Sequence, residues 1–200
     1  MHWQLLYGFV LFSVAMLFTP GPNNIMLMTS GLNYGIRRTL PHVFGVSVGF
    51  AFMVAVVGVG IGKLFEIYPL LYTAIKYAGV LYLAWLAFEV ARAGPAEEGA
   101  QARGQPLSFI GAAAFQWVNV KGWVIAIGTF TAYAAVTTYP WNIALQSALL
   151  MVLGTLSAMT WVLFGTALRP LLASPRVVRA FNIAMALALI ASLYPVLMET

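Results

Sequence analysis

Residues 4–28 read QLLYGFVLFSVAMLFTPGPNNIMLM, and this stretch decides the fold. No charge interrupts it, and it is long enough for a helix to cross a hydrocarbon core about 30 Å thick. Well inside it stand Thr19, Pro20, Gly21, Pro22, Asn23 and Asn24. Pro20 and Pro22 each lack an amide hydrogen and clash with the preceding turn, so the helix must kink or unwind. In hydrocarbon the released carbonyls and amides need other partners, and such a break is tolerated where protein or a water-filled cavity surrounds it. The half-helix restarting at Asn23 and Asn24 aims its amide dipole at that cavity, which suits an anionic group. A proline kink used only for packing is the plainer reading. Two prolines, a glycine and two asparagines within five residues favour a site. The stretch has no Lys or Arg before Leu5 and no small-residue cleavage site, so it reads as a retained span and not as a signal peptide.

Composition extends this to the whole chain. Of 200 residues 62% are hydrophobic and 8% charged, against roughly 25% charged in a soluble domain. An ordinary water-soluble globule is thereby excluded. Cutting at charges and turn residues gives six apolar segments, at about 4–28, 41–62, 68–91, 108–133, 143–167 and 178–198, each near the spanning length of about 20 residues. The expected fold is an all-α integral membrane protein of six transmembrane helices, forming one domain over residues 1–200. Its halves, 1–92 and 107–200, are joined by the polar connection 93–106. Three spans per half place the second half upside down relative to the first, so the expected arrangement is a 3+3 inverted repeat around a midplane site.

Lys and Arg set the expected orientation. Arg37, Arg38, Arg92, Arg103, Arg169, Arg176 and Arg179 fall in the odd loops, whereas Lys63 alone faces them from the other side. The positive-inside rule then makes the odd loops cytoplasmic and puts both termini outside. Trp3, Tyr68, Tyr72, Tyr139, Trp141 and Tyr194 fall at the outer boundary, as an aromatic anchoring belt would. The charge of +5 does not point to nucleic acid, because the basic residues stand singly or in pairs between apolar runs.

The remaining polar residues narrow the chemistry. There is no Cys and no Asp, and Glu occurs only at 66, 89, 97, 98 and 199. Disulfides, thiolate metal sites and paired-carboxylate catalysis therefore lack raw material. His2 and His42 lie near opposite ends of their spans, on opposite sides of the bilayer, so no metal site and no cofactor is expected. Lys121, within Gln116-Trp117-Val118-Asn119-Val120-Lys121-Gly122, lies about 18 Å into span four at helical rise, near the midplane. A charge there costs at least about 2.5 kcal/mol. Gln116 and Asn119 share a helix face at i, i+3, and Lys121 is expected to face the polar interior with them. Lys76 lies deep enough in span three to be a second candidate, although its stem can reach the outer headgroups. Glu89 and Arg92 are expected to form an interfacial pair, and Gly45 and Gly49 a close-packing face.

Taken together, these features resemble the LysE/RhtB family of amino-acid exporters over essentially the whole chain. The resemblance rests on the Thr19-Pro20-Gly21-Pro22-Asn23 break, then Gly35, Arg37, Gly45 and Gly49. It continues through Lys76, Gly79, Tyr82 and Leu83, and through Gln116, Asn119 and Lys121. The family's span-four pattern reads Asn-Pro-Lys, whereas this chain has Val120 between Asn119 and Lys121. That departure removes the proline break from the second half. The resemblance implies export of amino acids or close derivatives across a bacterial inner membrane, driven by the proton gradient. The implied partners are the amino-acid substrate, protons and the bilayer, with a homo-oligomer as a further option.

The expected mechanism puts a zwitterionic amino acid between the span-one break and the Gln116 to Lys121 face. Its carboxylate would meet Lys121 and the amides at Asn23 and Asn24. Its ammonium would sit on carbonyls freed by Pro20 and Pro22, helped by Asn23 or Asn119. Lys121 would double as proton carrier, losing its proton when the carboxylate leaves, with Lys76 and Glu89 as other proton-coupling candidates. The rival reading is a non-transporting scaffold or a channel-like pore, but a pore would want rings of charge or a polar stripe through several spans. An intramembrane hydrolase is a poorer fit, since Ser13, Ser30, Ser47 and Ser157 have no expected His or carboxylate partner at membrane depth.

Overall fold

A computed structural model describes residues 1–61, 67–93, 104–170 and 174–191. The apolar run at the start forms α1, Trp3–Phe18. It ends where the prolines dictate: Thr19 and Gly21 are extended, and a new helix, α2, starts at Pro22 and runs to Val56. Proline suits that first position, because its missing donor would have no helical acceptor there. The Gly21 carbonyl accepts the first bond of α2, from the Ile25 amide at 3.0 Å.

α2 is not one crossing. Ser30 Oγ lies 3.3 Å from His42 Nδ1, although twelve residues of straight helix would separate the two by about 18 Å. The chain reverses at Gly35, whose φ of 75° and ψ of 175° suit a residue without a Cβ. α2 is therefore a hairpin with limbs 22–34 and 36–56. This corrects two expected boundaries: the first broken segment reaches residue 34 and not 28, and the next begins at 36 and not 41. Polar Asn33, Tyr34, Arg37 and Arg38 stay helical, since polarity alone does not end a helix.

The remaining elements are α3 (Pro69–Arg92), α4 (Phe109–Phe115), α5 (Val120–Tyr133), α6 (Trp141–Leu168) and α7 (Pro175–Ala191). Ser108 caps α4 by accepting the Gly111 amide at 3.1 Å. A tight turn, Gln116–Val118, and an extended Asn119 separate α4 from α5, and the two halves are bent by 68°. Span four is thus broken although Val120 replaces the proline, which overturns the expectation that the break is lost there. By length and composition, two of the described helical stretches hold a run that can cross a bilayer, one within Pro22–Gly60 and the other Trp141–Leu168, or three if the bent pair is one span. The expected span over 178–198 is described only to Ala191, and most of the connection 93–106 lies outside the described residues.

Packing places the two breaks side by side. Phe9, Phe50, Met53, Trp123, Ile125 and Leu150 form one apolar cluster on the α1 side of the breaks. Ile25, Met26, Leu83, Leu86, Phe115, Ala186 and Leu189 form another beyond them. α1 runs toward the break while α5 runs away from it, and the His2 amide meets the Val136 carbonyl at 2.9 Å where their far ends adjoin. Limb 22–34 and α6 touch backbone to backbone: a Cβ at Gly31 would overlap Val162, and one at Gly165 would overlap Met28. Gly45 and Gly49 stand as closely against Phe109 and Ala113. Such small-residue contacts are how helices associate in lipid.

Candidate functional site

Side chains cap part of each broken backbone segment. Breaking α1 after Phe18 deprives the carbonyls of residues 16 to 19 of their i+4 amides, because Pro20 and Pro22 have none and Gly21 is extended. Asn24 Nδ2 reaches two of them, Leu17 at 3.0 Å and Thr19 at 2.8 Å. Ser157 Oγ, from α6, donates to the Leu17 carbonyl at 2.8 Å. Lys121 Nζ donates to the Thr19 carbonyl at 2.8 Å across 102 residues of sequence. The stem of Lys121 lies across Gly21, where a Cβ would come 3.1 Å from both Cδ and Nζ. That close approach accounts for the glycine between the prolines.

On the facing side, Asn23 and Gln116 exchange amide hydrogen bonds of 2.9 and 3.3 Å, and Gln116 also donates to the Ala112 carbonyl at 2.8 Å. Trp123 Nε1 closes the span-four break by donating to the Trp117 carbonyl at 2.9 Å. Asn119 is buried, and its Oδ1 has no partner. The structure thereby brings Gly21, Pro22, Asn23, Asn24, Gln116, Asn119 and Lys121 to one cavity of about 50 Å³. Thr19 and Pro20 are exposed and lie off its wall, Thr19 contributing only its carbonyl to Lys121. The lining also includes Met16, Leu27, Val46, Phe50, Ile125 and Ala158, with the small polar wall of Ser47, Gly154 and Ser157.

The other expected residues lie elsewhere. Lys76 belongs to α3, with its side chain outside the described residues, and Glu89 is exposed near the end of the same helix. Glu89 does not line the cavity. Arg92 does not pair with Glu89 among the described residues; its guanidinium stands 5.0 Å from the Phe88 ring centroid. Against expectation, Ser30 does meet a histidine, the buried His42, but both are sealed away from the cavity. Ser47, Gly154 and Ser157 carried no local signal for a site, because serine and glycine are common in spans and only packing aims these three inward.

Of the four released carbonyls, Leu17 and Thr19 already hold protein donors, so these two are not open seats for a substrate ammonium. Open acceptors lie instead on Ser47, whose hydroxyl hydrogen goes to the Val43 carbonyl at 2.9 Å, and on Ser157; a hydroxyl that donates once keeps two lone pairs. Opposite them are donors, the Lys121 ammonium and the first-turn amides at Asn23 and Asn24. The cavity can therefore grip an anion and a cation at once. Asn24→Ala should lower the thermal unfolding midpoint in detergent, costing about 1–3 kcal/mol for each poorly satisfied carbonyl. It should do so by more than Ser157→Ala, since Asn24 serves two carbonyls and Ser157 one. An unchanged midpoint would show that the break is capped otherwise.

A broken pair of apolar helices around a pocket with both donors and acceptors suits a carrier, and known proteins agree. The chain belongs to the LysE type translocator family, whose model matches residues 14–192. It is a transporter and not an enzyme, and its family and relatives make it an amino-acid exporter of the membrane. It is similar to the cysteine/O-acetylserine efflux protein of Escherichia coli O139:H28 (strain E24377A / ETEC), with 32% identity over 189 residues covering 93% of this chain and 94% of that one. The proteins of the same name from Escherichia coli (strain K12) and Shigella flexneri match with the same identity and coverage. No solved structure matches the chain.

Proposed function

We propose that the cavity between the two breaks is the substrate site of an exporter for small amino acids with uncharged side chains. The observation that carries this is the Lys121 ammonium, held 2.8 Å from the Thr19 carbonyl inside a pocket that both breaks line. The substrate carboxylate takes Lys121 and the first-turn amides of α2, which offer charge and dipole together. The ammonium turns to the lone pairs of Ser47 and Ser157 and to Asn119 Oδ1. Among the described residues no Asp or Glu lines the pocket, so a cationic side chain would add a second unpaired positive charge beside Lys121. About 50 Å³ is room for about four waters, a scale that suits a side chain of a few heavy atoms. The relatives named for cysteine and O-acetylserine efflux support the same size class.

The six-span fold, the 3+3 inverted repeat and termini on the outside belong to this proposal. Two broken spans running antiparallel with their breaks in contact support the repeat. Rocking one half against the other would open the pocket to each side in turn. Lys121 is both ligand and proton carrier in this scheme, because it lines the pocket whereas Glu89 is exposed off its wall. Counterflow of labelled cysteine in proteoliposomes tests the carrier reading: unlabelled cysteine on the far side should accelerate exchange. A pore would pass label without that stimulation, and a scaffold would pass none. Proton antiport predicts a further several-fold rise in efflux when the receiving side is made acidic; efflux indifferent to the pH gradient would remove the proton from the cycle.

A further inference from the structure

Gly154, midway along α6, is buried, yet a Cβ added there would meet no atom within 4 Å. Five other buried glycines, all on packed helix faces, behave in the opposite way. At Gly31, Gly45, Gly49, Gly79 and Gly165 a Cβ would overlap neighbouring backbone. Close helix packing explains those five and leaves Gly154 unexplained, in a helix where glycine is a poor former. What lies before Gly154 is the cavity itself, which it lines together with Ser157 and Ala158 on the same helix face, three and four residues on. Asn119, which also lines the cavity, is only 4% exposed, and its Oδ1 has no partner.

We propose that Gly154 sets the largest side chain the exporter accepts. This rests on the cavity being the amino-acid site and adds which wall measures the substrate. The groups that grip a carboxylate come from the two breaks and those that take the ammonium are Ser47 and Ser157, so the substrate side chain is left to the apolar part of the wall made by α6 and limb 36–56, with Gly154, Ala158, Val46 and Phe50. There a bare glycine is room for one more heavy atom. Because the added methyl of Gly154→Ala meets only open space, it takes volume from the ligand and not from the fold. One methyl group in such a pocket discriminates between substrates by about 10- to 200-fold.

The test is counterflow by the full chain in proteoliposomes under reductant. Labelled cysteine is chased by unlabelled alanine or by O-acetylserine, whose side chain is the longer. Gly154→Ala should shift the O-acetylserine to alanine ratio toward alanine by about tenfold or more, and Ala158→Gly should shift it the other way. A ratio equal to wild type in a folded Gly154→Ala protein overturns the inference while leaving the carrier reading intact. Should Gly154→Ala not fold, an Ala158→Gly ratio unchanged from wild type overturns it equally. A wild-type protein that exchanges none of the three amino acids overturns the carrier reading and the size limit with it.

Discussion

Lys121→Met should reduce amino-acid exchange by at least about 100-fold while the protein remains folded. Truncating one member of a desolvated charge pair costs about 2–5 kcal/mol, and 100-fold corresponds to about 2.8 kcal/mol at 1.4 per factor of ten. The fold should survive because the Thr19 carbonyl keeps the Asn24 amide at 2.8 Å, and a methionine stem still covers Gly21. Exchange assays on a monodisperse, helical mutant read the effect. Normal exchange by that mutant would remove Lys121 from the mechanism.

The largest structural effect is expected at the crossing of α2 and α6. Gly165→Val should cut the yield of folded protein to about a tenth or less, because its Cβ would overlap the Met28 carbonyl and approach the Leu32 amide. Overpacking that a flexible side chain can absorb costs about 1–3 kcal/mol. Here the obstacle is backbone, and the partner contact of Gly31 with Val162, together with the Thr166 hydroxyl on the Gly31 carbonyl at 3.2 Å, leaves no direction in which to slide. Comparing detergent-stable yield and unfolding midpoint with wild type decides it. A mutant of unchanged yield and midpoint would mean that the two helices do not meet as closely as described.

Which parts of this were legible in sequence follows from whether their cause is local. The span-one break was legible because proline removes a donor wherever it stands. The span-four break was not, since Val120 keeps its amide. The cause there is tertiary: Gln116 is held by Asn23, Trp123 caps Trp117, and Lys121 is drawn to Thr19. Gly35 stood out in the sequence, but not as the point of reversal, and boundaries set by polarity therefore missed by several residues. Lys121 was legible because a charge within an apolar run needs polar partners. Its neighbours Ser47, Gly154 and Ser157 were not, because their meaning depends on which face of limb 36–56 and of α6 turns inward. The buried pair of Asn33 and Asn182, exchanging bonds of 3.0 and 3.1 Å and tying α7 to limb 22–34, was hidden for the same reason.

The substrate carboxylate on Lys121 is the hinge of the whole account, and a ligand lacking that carboxylate isolates it. Binding of cysteine and of cysteamine, its decarboxylated form, can be titrated under reductant against the purified wild type and Lys121→Met. Wild type should prefer cysteine by about 100-fold, the scale set by the charge-pair cost above, and in Lys121→Met cysteine should fall to the level of cysteamine. A preference for cysteine that survives the loss of the ammonium would contradict the site.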